Sequence, residues 1–316
     1  MMFLEYHNNV IEDILIGLFY RIRRPKLLDM KFNDFSGISY HLSTPDEGRL
    51  DQLRLSIHWE CWAQLVQYGA MDVLEREYGP WIASPPEEGY DFTLEFNVDG
   101  LVRDNDPEKA IRNVALLRRN ALSGAFERAF RAQAQAKEEN DPNFDPNSIE
   151  FMRIDPHRDE RMYIRHHRDY TTLIIGIALD DLDEADRLFV KFTFEELKHR
   201  SRLPHNYSNA PWVIHANLKP PPEICHLEEV VQDTSGCRAY ITFLIPPSLI
   251  ATKERRDYII SQRMIFRDYM QYHIKGTKVF LKMRMRRSRF CDRIKRLERT
   301  RKDYELPKSP IRIQGG

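Results

Sequence analysis

The residue types that most readily do chemistry are scattered along this chain. His199, His205, His215, Cys225 and His226 are all metal-ligating types, yet none falls into the tight paired spacing of a zinc site. They read as loop histidines and a thiol. His166 and His167 are adjacent, so on a strand they point to opposite faces and at most one reaches a pocket. Asp180, Asp181, Asp183, Glu184 and Asp186 crowd together. Acid–base work would need them in a cleft that displaces their pKa values. Consecutive acids after a strand form a solvated turn instead, and the spaced DxDxDG pattern of a calcium loop is absent. There is no Gly-rich phosphate loop, no GxSxG elbow and no HExxH pair. No catalytic residue, cofactor or metal is therefore expected.

The strong signal is electrostatic. Lys+Arg and Asp+Glu both total 48, but from Lys253 to Lys302 there are 18 basic and 5 acidic residues. Eleven of those cations, eight of them arginine, lie between Lys282 and Lys302, against Asp292 and Glu298 alone. Like charges at i,i+4 on a helix repel by about 0.2–0.5 kcal/mol per pair, and an acidic surface relieves that cost. Arginine favours bidentate pairing with carboxylate or phosphate. Met283, Met285, Phe290, Ile294 and Leu297 are interleaved with the charges, and a solvated tail has no use for them. The segment reads as a binding element for an anionic partner: nucleic acid, membrane surface or acidic protein.

A folded body must present that element, and the rest of the chain has the composition for one. Hydrophobic residues make up 42% and charged residues 30% of 316, which excludes wholesale disorder. No run approaches the ~18 apolar residues of a membrane span, and the N-terminus does not match a secretory leader. Cys61, Cys225, Cys237 and Cys291 form no CxxC pair and read as reduced intracellular thiols. Ile11, Ile14, Leu15, Leu18 and Ile22 predict a helix over 10–22. Strands are predicted over 32–42, 53–58 and 90–98, with helices over 59–78 and from Pro107 past Phe130. Further strands are predicted over 151–154, 162–166, 171–179, 188–193, 212–216 and 239–245, with a hairpin turned at 167–170 and a short helix over 194–200.

From 252 to 303 there is no proline, and Gly276 is the sole glycine. A helix of that length would run about 75 Å at about 1.5 Å per residue. Its stripe passes through Ile265, Tyr269, Tyr272, Gly276, Val279, Met283, Phe290, Ile294 and Leu297, too long for a compact body to cover. The expected fold is α+β: two similar α/β domains, mostly antiparallel sheets with packed helices, followed by one long C-terminal helix. The expected boundaries are 1–137 and 148–251 for the domains, 138–147 for an acidic, Pro-containing linker, 252–303 for the basic helix and 304–316 for a tail.

Several stretches resemble a known family. Phe266-Arg267-Asp268-Tyr269, Tyr272-His273-Ile274-Lys275, Lys278 and Arg284-Met285-Arg286 are similar to the C-terminal signature of the subunit 2 family of the actin-related protein 2/3 (Arp2/3) complex. Tyr78-Gly79 with Gly89-Tyr90, Leu117-Arg118-Arg119-Asn120 with Phe126-Glu127, Met162-Tyr163, and Tyr240-Ile241-Thr242-Phe243 resemble other parts of that family in the same order. The resemblance covers nearly the whole chain to about residue 303.

The resemblance implies a non-enzymatic scaffold in the cytoplasm and cytoskeleton, at actin-rich cortical structures. It implies pairing with subunit 4 of the complex through antiparallel long helices. It also implies a place among the other small subunits beside Arp2 and Arp3, and contact with a mother actin filament during nucleation and branching. Nucleotide would belong to the actin-related subunits. On this reading Phe266, Tyr269, Tyr272, His273, Ile274, Val279 and Met283 pack against the second domain and the partner helix. Lys275, Lys278, Lys282, Arg284, Arg286, Arg287 and Arg289 meet actin or another acidic partner, where a basic surface raises encounter rate. Lys198, Arg200 and Arg202, beside His199, form a second filament candidate chosen on charge alone. Gly276 costs about 0.5–1 kcal/mol relative to alanine in mid-helix and permits a close approach or a kink. The alternative is a nucleic-acid-binding protein using the basic helix, although neither an RNP-like strand signature nor a helix-turn-helix pattern is present.

Overall fold

The computed structural model describes residues 6–20, 22, 27–34, 37–46, 48–101, 106–139, 144–145, 148–178, 190, 194, 211–231, 238–266, 269, 272, 276, 279, 283 and 286. The protein is α+β, with two antiparallel sheets and packed helices. The first sheet is a meander in the order β1 (Asp29–Asn33), β2 (Ser39–Ser43), β3 (Gln52–His58) and β4 (Phe92–Asn97). Period-two alternation turns Leu53, Leu55 and Ile57 inward from β3, opposite Phe96, Leu94 and Phe92 of β4. The second sheet contains β5 (Met152–His157), β6 (Glu160–His166), β7 (Thr171–Ala178), β8 (Trp212–Asn217) and β9 (Arg238–Ile245), in the order β5-β6-β7-β9-β8. Its central strand β7 is buried on both faces from Thr171 to Gly176, the pattern of an interior strand. One face packs Met162, Ile164, Leu173 and Ile175 into the main core. The other packs Tyr163, Ile174 and Tyr240 against Ile224 and Val230.

Helices α1 (Asn9–Phe19), α2 (Trp62–Gln67), α3 (Ala70–Tyr78), α4 (Pro107–Ala115) and α5 (Leu117–Glu139) complete the body. Asn8 caps α1 by accepting from the amides of Val10 and Ile11. Asp106 caps α4, and Pro107 fills its first position. Residues 1–269 form one compact unit and 270–316 a second. Within the first unit a single apolar cluster runs from Ile11 through both sheets to Met264. Trp59 Nε1 donates to the Pro156 carbonyl at 2.8 Å, and the Asp155 amide donates to Gln64 Oε1 at 2.8 Å, so the segment after β3 is tied to β5.

Several predicted elements are corrected. The stretch 32–42 is a hairpin rather than one strand: the Ile38 and Gly37 amides both donate to Asp34, which turns the chain between β1 and β2. The helix predicted over 59–78 is two, because Gly69 adopts φ 96° between α2 and α3, a conformation that ends a helix and favours glycine. Val190, predicted extended, is helical and buried, whereas Phe194 is helical as predicted and buried. The hairpin β6–β7 turns where predicted, with the His167 amide donating to the Tyr170 carbonyl at 2.8 Å. Cys61 and Cys225 are free thiols, and burial pushes the Cys61 thiol pKa up. Among the described residues no helix is long and apolar enough to cross a membrane. The acids Asp180 to Asp186 and most of 138–147 lie outside the described residues.

Gly69 has a counterpart on α5. A Cβ built on Gly124 would lie 2.5 Å from the Gly69 carbonyl carbon and 2.6 Å from the Ala70 nitrogen. Backbone cannot retreat as a side chain can, so only glycine lets α5 cross the α2–α3 turn. Gly124→Ala is expected to destabilise by at least about 1–3 kcal/mol, the cost of overpacking, measured as a drop in the urea midpoint.

His167 supplies a pH prediction. Its ring packs 4.4 Å from Tyr170. Burial, then the charges of Arg165 and His166, push its pKa down from 6.5 to about 4. Between those values the unfolded chain binds more protons than the folded one, so stability falls as pH drops through that window. Urea midpoints collected across it should decline for the native chain and flatten for His167→Gln.

Candidate functional site

The C-terminal stretch begins as a helix over residues 253–266 seated on the body. Thr252 starts it, accepting the Arg256 amide on its carbonyl and the Arg255 amide on Oγ1. Ile259, Ile260, Arg263 and Met264 fall on one face and are buried. The apolar members join the main core. Phe266 stands edge-on to Phe243 of β9, with ring centroids 5.4 Å apart. Between the helix and the sheet is a cavity of about 180 Å³ walled by Leu173, Ile175, Phe243, Ile245, Ile259 and Phe266.

Polar contacts define how this helix root is seated. Arg263 Nη2 lies 2.5 Å from Glu160 Oε1, with side chains only 5% and 4% exposed. Arg119 of α5 meets Asp257 at 3.3 Å and also donates to Asn120 Oδ1, whose Nδ2 donates to the Tyr78 hydroxyl. Tyr78 donates in turn to the Asn113 carbonyl. Burial pushes the Tyr78 pKa up, so the phenol stays a donor. Arg118 bridges Asp34 at 2.6 Å and the Met264 carbonyl at 3.3 Å. The family-like Leu117-Arg118-Arg119-Asn120 stretch thus grips the root of the C-terminal helix.

The sequence reading missed Glu160, Asp257 and Arg263, though a signal was present. Glu160 is in phase with Met162 and Ile164 on β6, and Arg263 shares a helix face with Ile259 and Ile260. A charge on an apolar face marks a buried pair.

Of the predicted site residues, Phe266 packs on the second sheet and Tyr269 is 49% exposed. In the second unit Tyr272, Gly276, Val279, Met283 and Arg286 are described, and all five are helical and exposed. Tyr272, Gly276, Val279 and Met283 keep the 4-3-4 spacing of a coiled-coil seam, and Val279 and Met283 are 52% and 64% exposed. His273, Ile274, Lys275, Lys278, Lys282, Arg284, Arg287 and Arg289 lie outside the described residues, as do Lys198, Arg200 and Arg202. His215 Nε2 lies 2.9 Å from the Lys219 carbonyl, and Cys225 Sγ lies 3.3 Å from the Pro222 carbonyl. Among the described residues no group of three His, Cys, Asp or Glu side chains could hold a metal ion.

The first unit is thus an α+β body with the helix over 253–266 seated on its second sheet, and the described seam residues further along the chain are exposed. Residues 55–304 match the family described as the 34 kD subunit, p34-Arc, of the Arp2/3 complex. The chain is 30% identical over 316 residues to actin-related protein 2/3 complex subunit 2 of Schizosaccharomyces pombe, covering 97% of this chain and 96% of that protein. It is 26% identical over 288 residues to the Dictyostelium discoideum protein of the same name, covering 90% and 89%. The chain belongs to the p34-Arc family of Arp2/3 complex subunits.

Removing one member of a buried ion pair strands the other charge, whereas replacing both with apolar groups is often neutral or stabilising. Glu160→Gln or Arg263→Met alone is expected to cost about 3–5 kcal/mol in urea denaturation. The double variant Glu160→Met, Arg263→Met should recover most of that loss.

Proposed function

We propose that this chain is a non-enzymatic structural subunit of an Arp2/3 complex, with the organisation expected for subunit 2. Its C-terminal helix pairs with a long helix of subunit 4, and together they form a core beside Arp2, Arp3 and other small subunits. The basic residues Lys275, Lys278, Lys282, Arg284, Arg286, Arg287 and Arg289 contact the mother actin filament, with Lys198, Arg200 and Arg202 as a second contact. The assembly acts in actin nucleation and filament branching in the cytoplasm, at the cytoskeleton. Family membership supports this reading. The observation that carries it is the exposed seam Tyr272, Gly276, Val279, Met283, which a partner helix would cover by knobs-into-holes packing. Gly276 has no atom within 4 Å of a Cβ built upon it, which leaves room for a helix to approach closely there.

Co-expression with subunit 4 should give a soluble stoichiometric pair on gel filtration. Val279→Glu with Met283→Glu should abolish that pair, because two buried carboxylates would lack partners. A native chain that runs as a well-behaved monomer and ignores subunit 4 would sink the proposal. The assembled complex should pellet with actin filaments and not with duplex DNA. Tight, steeply salt-sensitive DNA binding would instead favour a nucleic-acid role.

A further inference from the structure

A second surface lies entirely within the first unit. The C-terminal half of α5 and residues 247–256 enclose an open groove of about 770 Å³, within the size range of ligand sites. Its apolar lining is Phe130, Ala134, Pro247, Ile250 and Ala251. Phe130 and Ile250 are largely buried, whereas Ala134 and Ala251 are exposed.

The charges around this trough are unequal in kind. Its acids are Glu127 and Glu138 and its cations Arg131, Lys137 and Arg256. Glu127 is already gripped by the fork of Arg76, at 2.7 and 2.8 Å. Those hydrogen bonds hold its carboxyl below the ordinary range. Arg131 and Arg256 also help to hold the Glu127 carboxyl down by their charge, but neither grips it as Arg76 does. Among the described residues Arg131 and Lys137 make no ion pair, and Arg256 donates to the Ile250 carbonyl rather than to a carboxylate. Three cations therefore border an apolar trough in which Glu138 is the remaining uncommitted acid. The carbonyl end of the α5 dipole adds to Glu138 in repelling anions there, so the favourable end for an anion is the Arg131 and Arg256 end.

We propose that this groove docks an acidic segment of a partner chain in extended form. One apolar side chain lies on Phe130, Ala134 and Ile250, and carboxylates reach Arg131, Arg256 and Lys137. The apolar contact supplies affinity, and the charges supply orientation and selection against basic segments. This surface shares no residue with the seam, so its test is independent of pairing with subunit 4.

The probe is a fluorescein-labelled hexapeptide with one leucine among aspartates and glutamates. It is titrated by fluorescence polarisation into the full chain, purified with whatever subunits accompany it. Saturable binding that weakens with added salt is expected. Arg131→Glu with Lys137→Glu, both on the exposed face of α5, should weaken it by about tenfold or more. Ala134→Trp should abolish it by filling the trough, with circular dichroism confirming that each variant is folded. No saturable binding at millimolar peptide would overturn the proposal. So would equal affinity for a peptide carrying lysines in place of the acids, or undiminished binding to the folded Ala134→Trp variant.

Discussion

A carboxylate sealed inside a protein dictates what must come to meet it. Glu160 sits on the core-facing side of β6, almost without water, and Arg263 is the cation that reaches it. The cost of burying either charge alone exceeds the net worth of most single contacts in a domain of this size. The helix root at 253–266 therefore has one low-energy seat on the second sheet. Apolar contacts through Ile259, Ile260 and Met264 contribute most of the attraction. They are directionless, however, and would tolerate a shift along the helix that the ion pair does not. Arg118 and Arg119 add a second polar reference from α5, at Met264 and Asp257.

α5 is the element through which these constraints communicate. Its N-terminal half is buried on nearly every side from Arg119 to Phe126, which is possible only because alanine, serine and glycine keep its girth small. Gly124 lets it cross the α2–α3 turn at backbone distance, while Gln133 further along accepts a hydrogen bond from Thr171 of β7. One helix thus touches the turn after the first sheet, the second sheet and the C-terminal root. The same helix leaves its final turns open, with Lys137 and Glu138 exposed beside the groove. Burial at one end and exposure at the other follow from its composition: small and apolar residues from Ala121 to Phe126 with Arg118 and Arg119 paired, and charges from Lys137 to Glu139.

Much of this was legible in the amino-acid order. Alternating strands such as Phe92, Leu94, Phe96 and the apolar run of β7 declared themselves, because burial on one or two faces imposes a period that chemistry makes visible. The helix of α4 was marked by Pro107, and the seam Tyr272, Gly276, Val279, Met283 by the stripe it forms on a proline-free segment. Boundaries were less readable. Gly69 and the turn at Asp34 split elements whose apolar pattern runs straight through, since a left-handed residue or a side-chain-capped turn leaves hydrophobic spacing intact. Of the candidate site, the seam was visible as a stripe too long for a compact body to cover, whereas the Glu160–Arg263 pair beneath the helix at 253–266 was not.

Charge distribution, the apolar periodicity and the absence of catalytic spacing were determined by the sequence alone, because each is a property of neighbours along one chain. Which charges are buried together was decided by tertiary structure. Glu160 and Arg263 stand 103 positions apart, and no local rule couples residues at that separation. The groove between α5 and residues 247–256 has the same origin: its cations look like ordinary surface residues until folding places them around a shared apolar trough and assigns Glu127 to Arg76 instead.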